Sequence, residues 1–483
     1  MLFLKRLTVL MFYASLPLLI PLGYSLMLED GAWPTIAFTI LLLALPAVPQ
    51  ILQHIFQNLK NFILSLFQQD TPFHYTELIN MGEMREQVEG LKLGEILALV
   101  SAAWLIIPAI SMIPYLTYQF GVVDAFFESI SGWTSTGLSA LPSIDGLPPS
   151  IILYRSVTQW VGGLGIVILM LTVMKGREAR NFLKAEGRTS TDVGINKVAG
   201  GIWGTYLALT LIGIALLYLV GFNLFDTVNL TFAGISNGGF FPFDSFDFSN
   251  NQTFALALLM FGGATSFIFY QKVAKGRIKE AFSDEEFRLY LFITIVAILL
   301  IYLVSQEDIY NTILNSISAI ACGGFAIGNL EIMHAFPQYI LILLMLMGGM
   351  MGSTTGGIKL RRILLVLKTI TRNIRAAFLP TGSVQIVKLN GCAVKEDALV
   401  ESSTFIFAYL LLFLFGCGVM VAIDYELEDS MFMIASAIGN VGLAVFPVPA
   451  MAEGTKIFLI ALMYLGRIEI FPSLALIRFL LRR

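Results

Sequence analysis

The sequence predicts an all-α polytopic membrane protein. Four helix–re-entrant loop–helix repeats surround a quasi-fourfold axis, and two extra transmembrane helices precede them. Three observations predict this. Of 483 residues, 57% are apolar and only 13% are charged, about half the charged share of a soluble domain. Ten segments are apolar over a length that can cross a bilayer. Four stretches between paired spans resemble one another.

The apolar segments run over residues 7–27, 34–54, 95–117, 151–174, 202–221, 253–270, 289–305, 338–358, 401–423 and 456–477. Lys5 and Arg6 precede the first, as in a signal peptide, but no small-residue cleavage pattern follows, so it reads as a retained helix. Charge placement tests the map, because Lys and Arg collect on the cytoplasmic side. With a cytoplasmic N-terminus, three basic stretches fall inside: Lys175 to Lys197, Lys272 to Arg288, and Lys359 to Lys395. The outer loops are acidic, with Glu29, Asp30, Asp244, Asp247, Glu307, Asp308, Asp424, Glu426, Glu428 and Asp429. Such a face concentrates cations at its mouth. The map divides the chain into residues 1–94 (two extra helices and a connector), 95–200, 201–288, 289–400 and 401–483 (repeats 1 to 4).

Composition also excludes several functions. Thirty Lys+Arg against 33 Asp+Glu leave no basic excess for nucleic acid. Cys322, Cys392 and Cys417, with His54, His74 and His334, form no metal-ligand pattern. No span carries a convergent nucleophile, carboxylate pair or metal site, so an intramembrane enzyme is not expected. The repeats are parallel, unlike the inverted repeats of many solute transporters.

Each repeat has a segment too long for a turn and too short to cross. In each, a candidate helix cap stands 13 residues before a glycine: Asp124 and Gly137, Asp226 and Gly239, Asn311 and Gly324, Asp429 and Gly442. The four tails are Thr134-Ser135-Thr136-Gly137, Ser236-Asn237-Gly238-Gly239, Ala321-Cys322-Gly323-Gly324 and Gly439-Asn440-Val441-Gly442. Irregular backbone at membrane depth requires burial in protein or a water-filled path. Four such tails at one axis present carbonyl oxygens to a dehydrated cation. Glycine allows the backbone conformations that aim them inward. The prediction is four helix–pore loop–helix units around a quasi-fourfold pore that passes a monovalent cation.

Two further features lie below the tails. Five glycines (Gly348, Gly349, Gly352, Gly356 and Gly357), with Ser353, Thr354 and Thr355, interrupt the eighth span. At about 1 kcal/mol per glycine relative to alanine, a helix does not persist, and a loop gating the path is expected. Close helix packing through small residues is the competing explanation. Arg467 lies roughly 16 Å into the last span, near the bilayer midplane, where a charge is costly and marks function. It is expected to face the path as an electrostatic barrier; a buried ion pair is the alternative. Arg155 opens the first inner helix with snorkelling as its simplest explanation, and its role stays open.

Several motifs carry a family resemblance: Tyr154-Arg155, Gln159-Trp160-Val-Gly162-Gly163-Leu-Gly165, the glycine tails, Gly348 to Lys359, and Gly466-Arg467-Ile-Glu469. Over about residues 95–483 the chain resembles the bacterial Trk-type potassium uptake proteins of the Trk/Ktr/HKT superfamily. The two extra N-terminal spans look like the Trk branch. The resemblance implies potassium as the transported ion, through a filter made of the four tails. Glycine at all four filter positions goes with potassium, and serine in the first goes with sodium permeation. A sodium-permeable or sodium-coupled transporter of the same fold is the alternative. The resemblance also implies a homodimer in the bacterial inner membrane and a cytosolic nucleotide-binding regulatory partner. This chain has no Walker A motif and no GxGxxG after a strand, so no nucleotide is expected on it. Residues 50–95 match the family poorly. Pro472 departs from its pattern and is expected to kink the last helix. The connector Leu379 to Val394 matches loosely, with Asn390-Gly391 reading as a hairpin turn.

Overall fold

The structure, a computed structural model, describes residues 2–50, 53, 93–118, 120–173, 195–244, 247–328, 330, 333–380, 383 and 385–481. His54, His74 and the basic residues Lys175, Arg177, Arg180, Lys184 and Arg188 lie outside those residues.

Six helices are long and apolar enough to cross a membrane: Phe3–Leu28, Trp33–Gln50, Gly94–Leu116, Gly200–Leu219, Glu285–Ser305 and Glu396–Ala422. At 1.5 Å per residue they reach about 27–40 Å, enough for the hydrocarbon core. Their outward faces expose large apolar side chains such as Leu211, Leu303, Phe407 and Leu414, as a hydrocarbon solvent permits. Pro149–Val173 adds a 25-residue helix. Among the described residues the one sheet is a two-stranded hairpin, Lys388–Leu389 against Cys392–Ala393. Asn390 and Gly391 turn it with φ of 47° and 78°, the paired positive values of a type I′ turn.

Four times the chain runs long helix, short helix, loop, inner helix. The short helices are Val122–Trp133, Leu224–Ile235, Ile309–Ala321 and Leu427–Gly439. At 12 to 13 residues each is about 18–20 Å long, too short to cross the hydrocarbon core.

The inner helices differ from the expected straight spans. Only the first, Pro149–Val173, is one helix. The second bends by 94° between Asn250–Gly263 and Phe267–Ala274. The third ends at Met347, and the chain becomes helical again only at Leu360. The fourth bends by 105° between Glu453–Ile468 and Ile470–Leu481. Segments 253–270, 338–358 and 456–477 are therefore not single straight helices. At the first bend Ser266 is extended and its hydroxyl caps the new helix through the Ile268 N–H. At the last, Glu469 is left-handed at φ 60° and is held by Arg362 at 2.7 Å, whose guanidinium lies 3.9 Å over Phe405. The break thus comes three residues before Pro472. The proline sits in the first turn of the next helix, where its missing N–H is no loss.

Short and inner helices touch through glycine. A Cβ on Gly263 would lie 2.5 Å from the Ile235 carbonyl, and Cβ atoms on Gly162 and Gly466 would strike the Trp133 and Ile438 carbonyls. All three carbonyls stand four residues before a tail glycine. Close approach, rather than backbone freedom, requires glycine there.

Candidate functional site

The four short helices begin in register. Their N-caps are Gly121, Asn223, Asp308 and Glu426, each sixteen residues before its tail glycine. Asp124, Asp226, Asn311 and Asp429 are therefore not caps. They occupy the third helical position, where an acid still favours the positive end of the helix. Only Asn223 and Asp308 cap through their side chains.

The short helices end alike. The N–H groups of Ser135, Asn237, Cys322 and Asn440 bond three residues back, and those of Thr136, Gly238, Gly323 and Val441 bond five back. This is the Schellman ending, with a left-handed residue after the helix. Ser135, Asn237, Cys322 and Asn440 have φ of 50° to 55°. Two residues on, Gly137, Gly239, Gly324 and Gly442 have φ of 69° to 98°.

These glycines close a ring. A Cβ on Gly137 would strike the Gly238 carbonyl. One on Gly239 would come 2.6 Å from Gly324 Cα and 3.0 Å from the Gly323 carbonyl. One on Gly324 would come 2.7 Å from the Val441 carbonyl, and one on Gly442 would strike the Thr136 carbonyl. The contacts pass from repeat 1 to 2, 3, 4 and back. The carbonyls of Thr136, Gly238, Gly323 and Val441 therefore gather at one axis. Such a ring replaces the water shell of a cation with backbone oxygens, and the short helices add the negative ends of their dipoles.

The left-handed residues anchor their side chains on the inner helices or on the loop of repeat 3. Ser135 Oγ donates to the Gln159 carbonyl at 2.9 Å. Asn440 Nδ2 donates to the Met463 carbonyl at 2.8 Å and to Thr136 Oγ1 at 3.0 Å. The Asn237 amide lies 2.9 Å from the Thr354 hydroxyl, and the Cys322 thiol faces the Gly349 and Gly356 amides. Gln159 braces the second tail, donating to the Gly238 carbonyl at 2.5 Å and accepting from the Phe240 N–H at 3.1 Å.

Residues Gly348 to Lys359 form an ordered loop at the break of the third inner helix. Ile358 and Lys359 donate back to the Leu346 and Met347 carbonyls. Met350 N–H donates to the Ala264 carbonyl at 3.1 Å, and Met351 N–H to Glu286 Oε1 at 2.6 Å. Ser353 Oγ donates to the Met350 carbonyl at 2.6 Å and lies 3.0 Å from Thr355 Oγ1. Lys359 Nζ donates to the carbonyl and hydroxyl of Thr355. The Thr354 hydroxyl lies 3.1 Å from the Ile235 carbonyl and 3.0 Å from that of Gly263. A Cβ on Gly356 would strike the Gly439 carbonyl. Arg467, 6% exposed, donates to the Thr354 carbonyl at 2.9 Å and to the Gly162 carbonyl at 2.6 Å. The loop and Arg467 together touch elements of all four repeats, under the ends of the short helices. Among the described residues Arg467 bonds carbonyls and no carboxylate, so it is not half of an ion pair. Glu469 pairs instead with Arg362.

Residues 95–482 match the family described as TrkH, cation transport protein. The chain belongs to the TrkH cation transport family. A Methanocaldococcus jannaschii protein described as an uncharacterized cation transporter is 32% identical over 401 residues, 80% of this chain and 83% of the relative. The Trk system potassium uptake protein TrkH of Escherichia coli K12 is 27% identical over 419 residues, 81% of this chain and 86% of the relative. The crystal structure of the potassium transporter TrkH from Vibrio parahaemolyticus matches with a TM-score of 0.78 over 98% of each chain, at 24% identity. That likeness shows the shared fold. The chain is an all-helical, multi-pass cation transporter of the Trk family and not an enzyme.

Above the TrkH-family ring, the structure assigns places that the sequence left open. Arg155 does not snorkel. It is 1% exposed and pairs with Glu128 of the first short helix at 2.7 Å. It also donates to the Phe241 carbonyl at 3.1 Å and lies 4.1 Å over the Phe240 ring. Glu128, which sequence reasoning missed, accepts from the Ala140 N–H at 3.1 Å. The missed signal is a second acid, one turn beyond Asp124 in an apolar half-span. Asn315 plays the same part in repeat 3, accepting from the Ile327 N–H at 3.0 Å. Lys456, buried at the start of the last inner helix, pairs with Asp124 at 2.7 Å. On the outer face, burial raises the Asp244 carboxyl, but bonds from Ser143 Oγ and the Ile144 and Asp145 N–H groups outweigh it and hold its pKa below the ordinary value.

Removing one partner of a buried pair strands the other charge, at about 3–5 kcal/mol. Arg155→Met is expected to lower the melting temperature of the purified protein clearly. Glu128→Met/Arg155→Met should recover part of the loss, because no charge is left unpaired, while the Ala140 N–H and the Phe241 carbonyl lose partners. Equal melting curves for Arg155→Met and the parent would show that the pair contributes no stability.

Proposed function

We propose that the chain is a potassium uptake pathway of a bacterial inner membrane, with its N-terminus in the cytoplasm. Thr134 to Gly137, Ser236 to Gly239, Ala321 to Gly324 and Gly439 to Gly442 form the filter. Gly348 to Gly357 form the gate with Arg467. The single observation that carries this reading is the ring of four glycines, each facing the backbone of the next repeat. A tail with a side chain at the axis has no room in it. All four positions keep glycine, which supports potassium over sodium.

The reading extends to assembly. Two copies form a homodimer, each with its own pore, and a cytosolic nucleotide-binding subunit docks on the inner face. The helix Leu360–Ala376, continuous with the gate loop, supports that docking. Its Leu367, Ile370 and Ile374 are half exposed, beside Arg361 and Arg375.

Flux in liposomes tests the ion. The purified protein, under a set membrane potential, is expected to pass potassium and rubidium saturably and sodium weakly. Equal sodium flux, or potassium flux only in the presence of a second ion, would move the chain to the sodium-permeable or coupled alternative.

A further inference from the structure

The 94° bend of the second inner helix creates a second feature, on the lipid side. Beyond the bend, Phe267–Ala274 runs across the direction of the span rather than along it. Between this short helix, the end of Asn250–Gly263 and the helix Gly200–Leu219 lies a groove of about 370 Å³. Ile212, Leu216, Leu258, Phe269 and Phe282 are among its lining residues. Its few polar atoms are satisfied internally. Tyr270 Oη donates to the Gly262 carbonyl at 2.7 Å and Thr265 Oγ1 to the Phe261 carbonyl at 2.9 Å. The groove therefore asks for hydrocarbon.

The segment 272–279, which joins the lining residues Tyr270 and Phe282, is basic. Lys272 pairs with Asp284 at 3.2 Å, and Arg277 pairs with Glu280. Lys275 and Lys279 are exposed and make no ion pair among the described residues. Two ammonium groups without an ion partner thus stand on the segment between the lining residues Tyr270 and Phe282, one at the cap of Phe267–Ala274 and one in the helix Ile278–Phe282. A basic pocket between membrane helices on the cytoplasmic side suits an anionic headgroup, and a helix lying across the span suits the interface.

We propose that this groove binds an anionic phospholipid, one acyl chain between Ile212, Leu258 and Phe269 and the phosphate at Lys275 and Lys279. The site needs only that the chain spans a membrane, and stands whichever cation passes. Its back wall includes Ile235 and Gly262. The Ile235 carbonyl meets the Thr354 hydroxyl, and Gly263 and Ala264, next in the chain, hold the loop. A lipid seated there bears directly on the anchors of the loop.

The test reads binding, not transport. Ile212→Trp places a fluorophore at the rim, where residue 212 is 62% exposed. The full-length variant is reconstituted in phosphatidylcholine vesicles with a minor share of brominated phosphatidylglycerol or of brominated phosphatidylcholine. Its quenching is corrected by the parent protein, which has five tryptophans. Brominated phosphatidylglycerol is expected to quench at lower mole fraction, by about fivefold for each free lysine. The preference should shrink with added salt and vanish in Lys275→Gln/Lys279→Gln. Equal quenching by the two lipids would overturn the proposal, as would a preference that survives the double substitution. Leu258→Cys that forms a disulfide with a second copy would also overturn it, by assigning the groove to a subunit interface.

Discussion

Gly239→Ala is expected to cut rubidium flux by at least about tenfold while the protein still assembles. A rise of about 1.4 kcal/mol in the barrier is enough for that, and two effects each approach it. Alanine at φ 80° occupies a backbone region that costs an L-residue about 1–2 kcal/mol. Its Cβ would also lie 2.6 Å from Gly324 Cα, a backbone atom with no rotamer to change. Gly324 is itself fixed by Val441, so the strain passes around the ring. Radioactive rubidium uptake into liposomes, scaled to protein inserted, checks this. Flux equal to the parent would show that ions do not pass between these glycines.

Arg467→Ala is expected to raise flux in the absence of any partner by about tenfold or more. Hydrogen bonds to a charged group contribute about 1.5–3 kcal/mol each, and Arg467 makes two, to Thr354 and Gly162. The first ties the loop to the last inner helix and the second ties that helix to the first inner helix, so their loss favours a displaced loop. Arg467→Lys separates two explanations. A pure electrostatic barrier needs only the positive charge, so lysine would restore the parent flux. A cross-link needs two donors in a fixed fork, so lysine would behave nearer to alanine. Unchanged flux in both variants, with parental melting behaviour, would remove Arg467 from gating.

The repeat was legible because its spacing is stored locally. The distance from first turn to glycine is the same in all four copies, although the cap lies three residues before the first-turn Asp or Asn that the sequence offers. Gly121 and Glu426 make no side-chain cap, so nothing in their chemistry marks them. The loop at Gly348 was legible from its five glycines. The breaks at Ala264 and Glu469 were less so, because Phe261 to Phe267 holds only two glycines and Leu465 to Phe471 only one, a number that membrane helices commonly tolerate. What breaks them lies elsewhere: the loop 348–359 takes the carbonyls of Gly263 and Ala264, and Arg362 takes Glu469. The anchors of the ring were equally hidden. Ser135 finds Gln159 and Asn237 finds Thr354 across 24 and 117 residues of chain. A window along the sequence sees a small polar residue beside a glycine and nothing of its partner.

The paired roles of Glu128 and Asn315 carry a genetic consequence. Each holds the N–H three residues beyond its glycine, whereas the matching positions in repeats 2 and 4 are Leu230 and Met433, which accept no hydrogen bond. A pore assembled from four identical subunits inherits every mutation fourfold. Here one gene encodes four unequal quarters, and a single codon alters one of them. Repeats 1 and 3, opposite in the ring, carry this brace, while repeat 2 is held by Gln159 from its neighbour's inner helix, so the four quarters are held by different residues. A substitution at any one brace then alters one quarter and leaves the other three as they were.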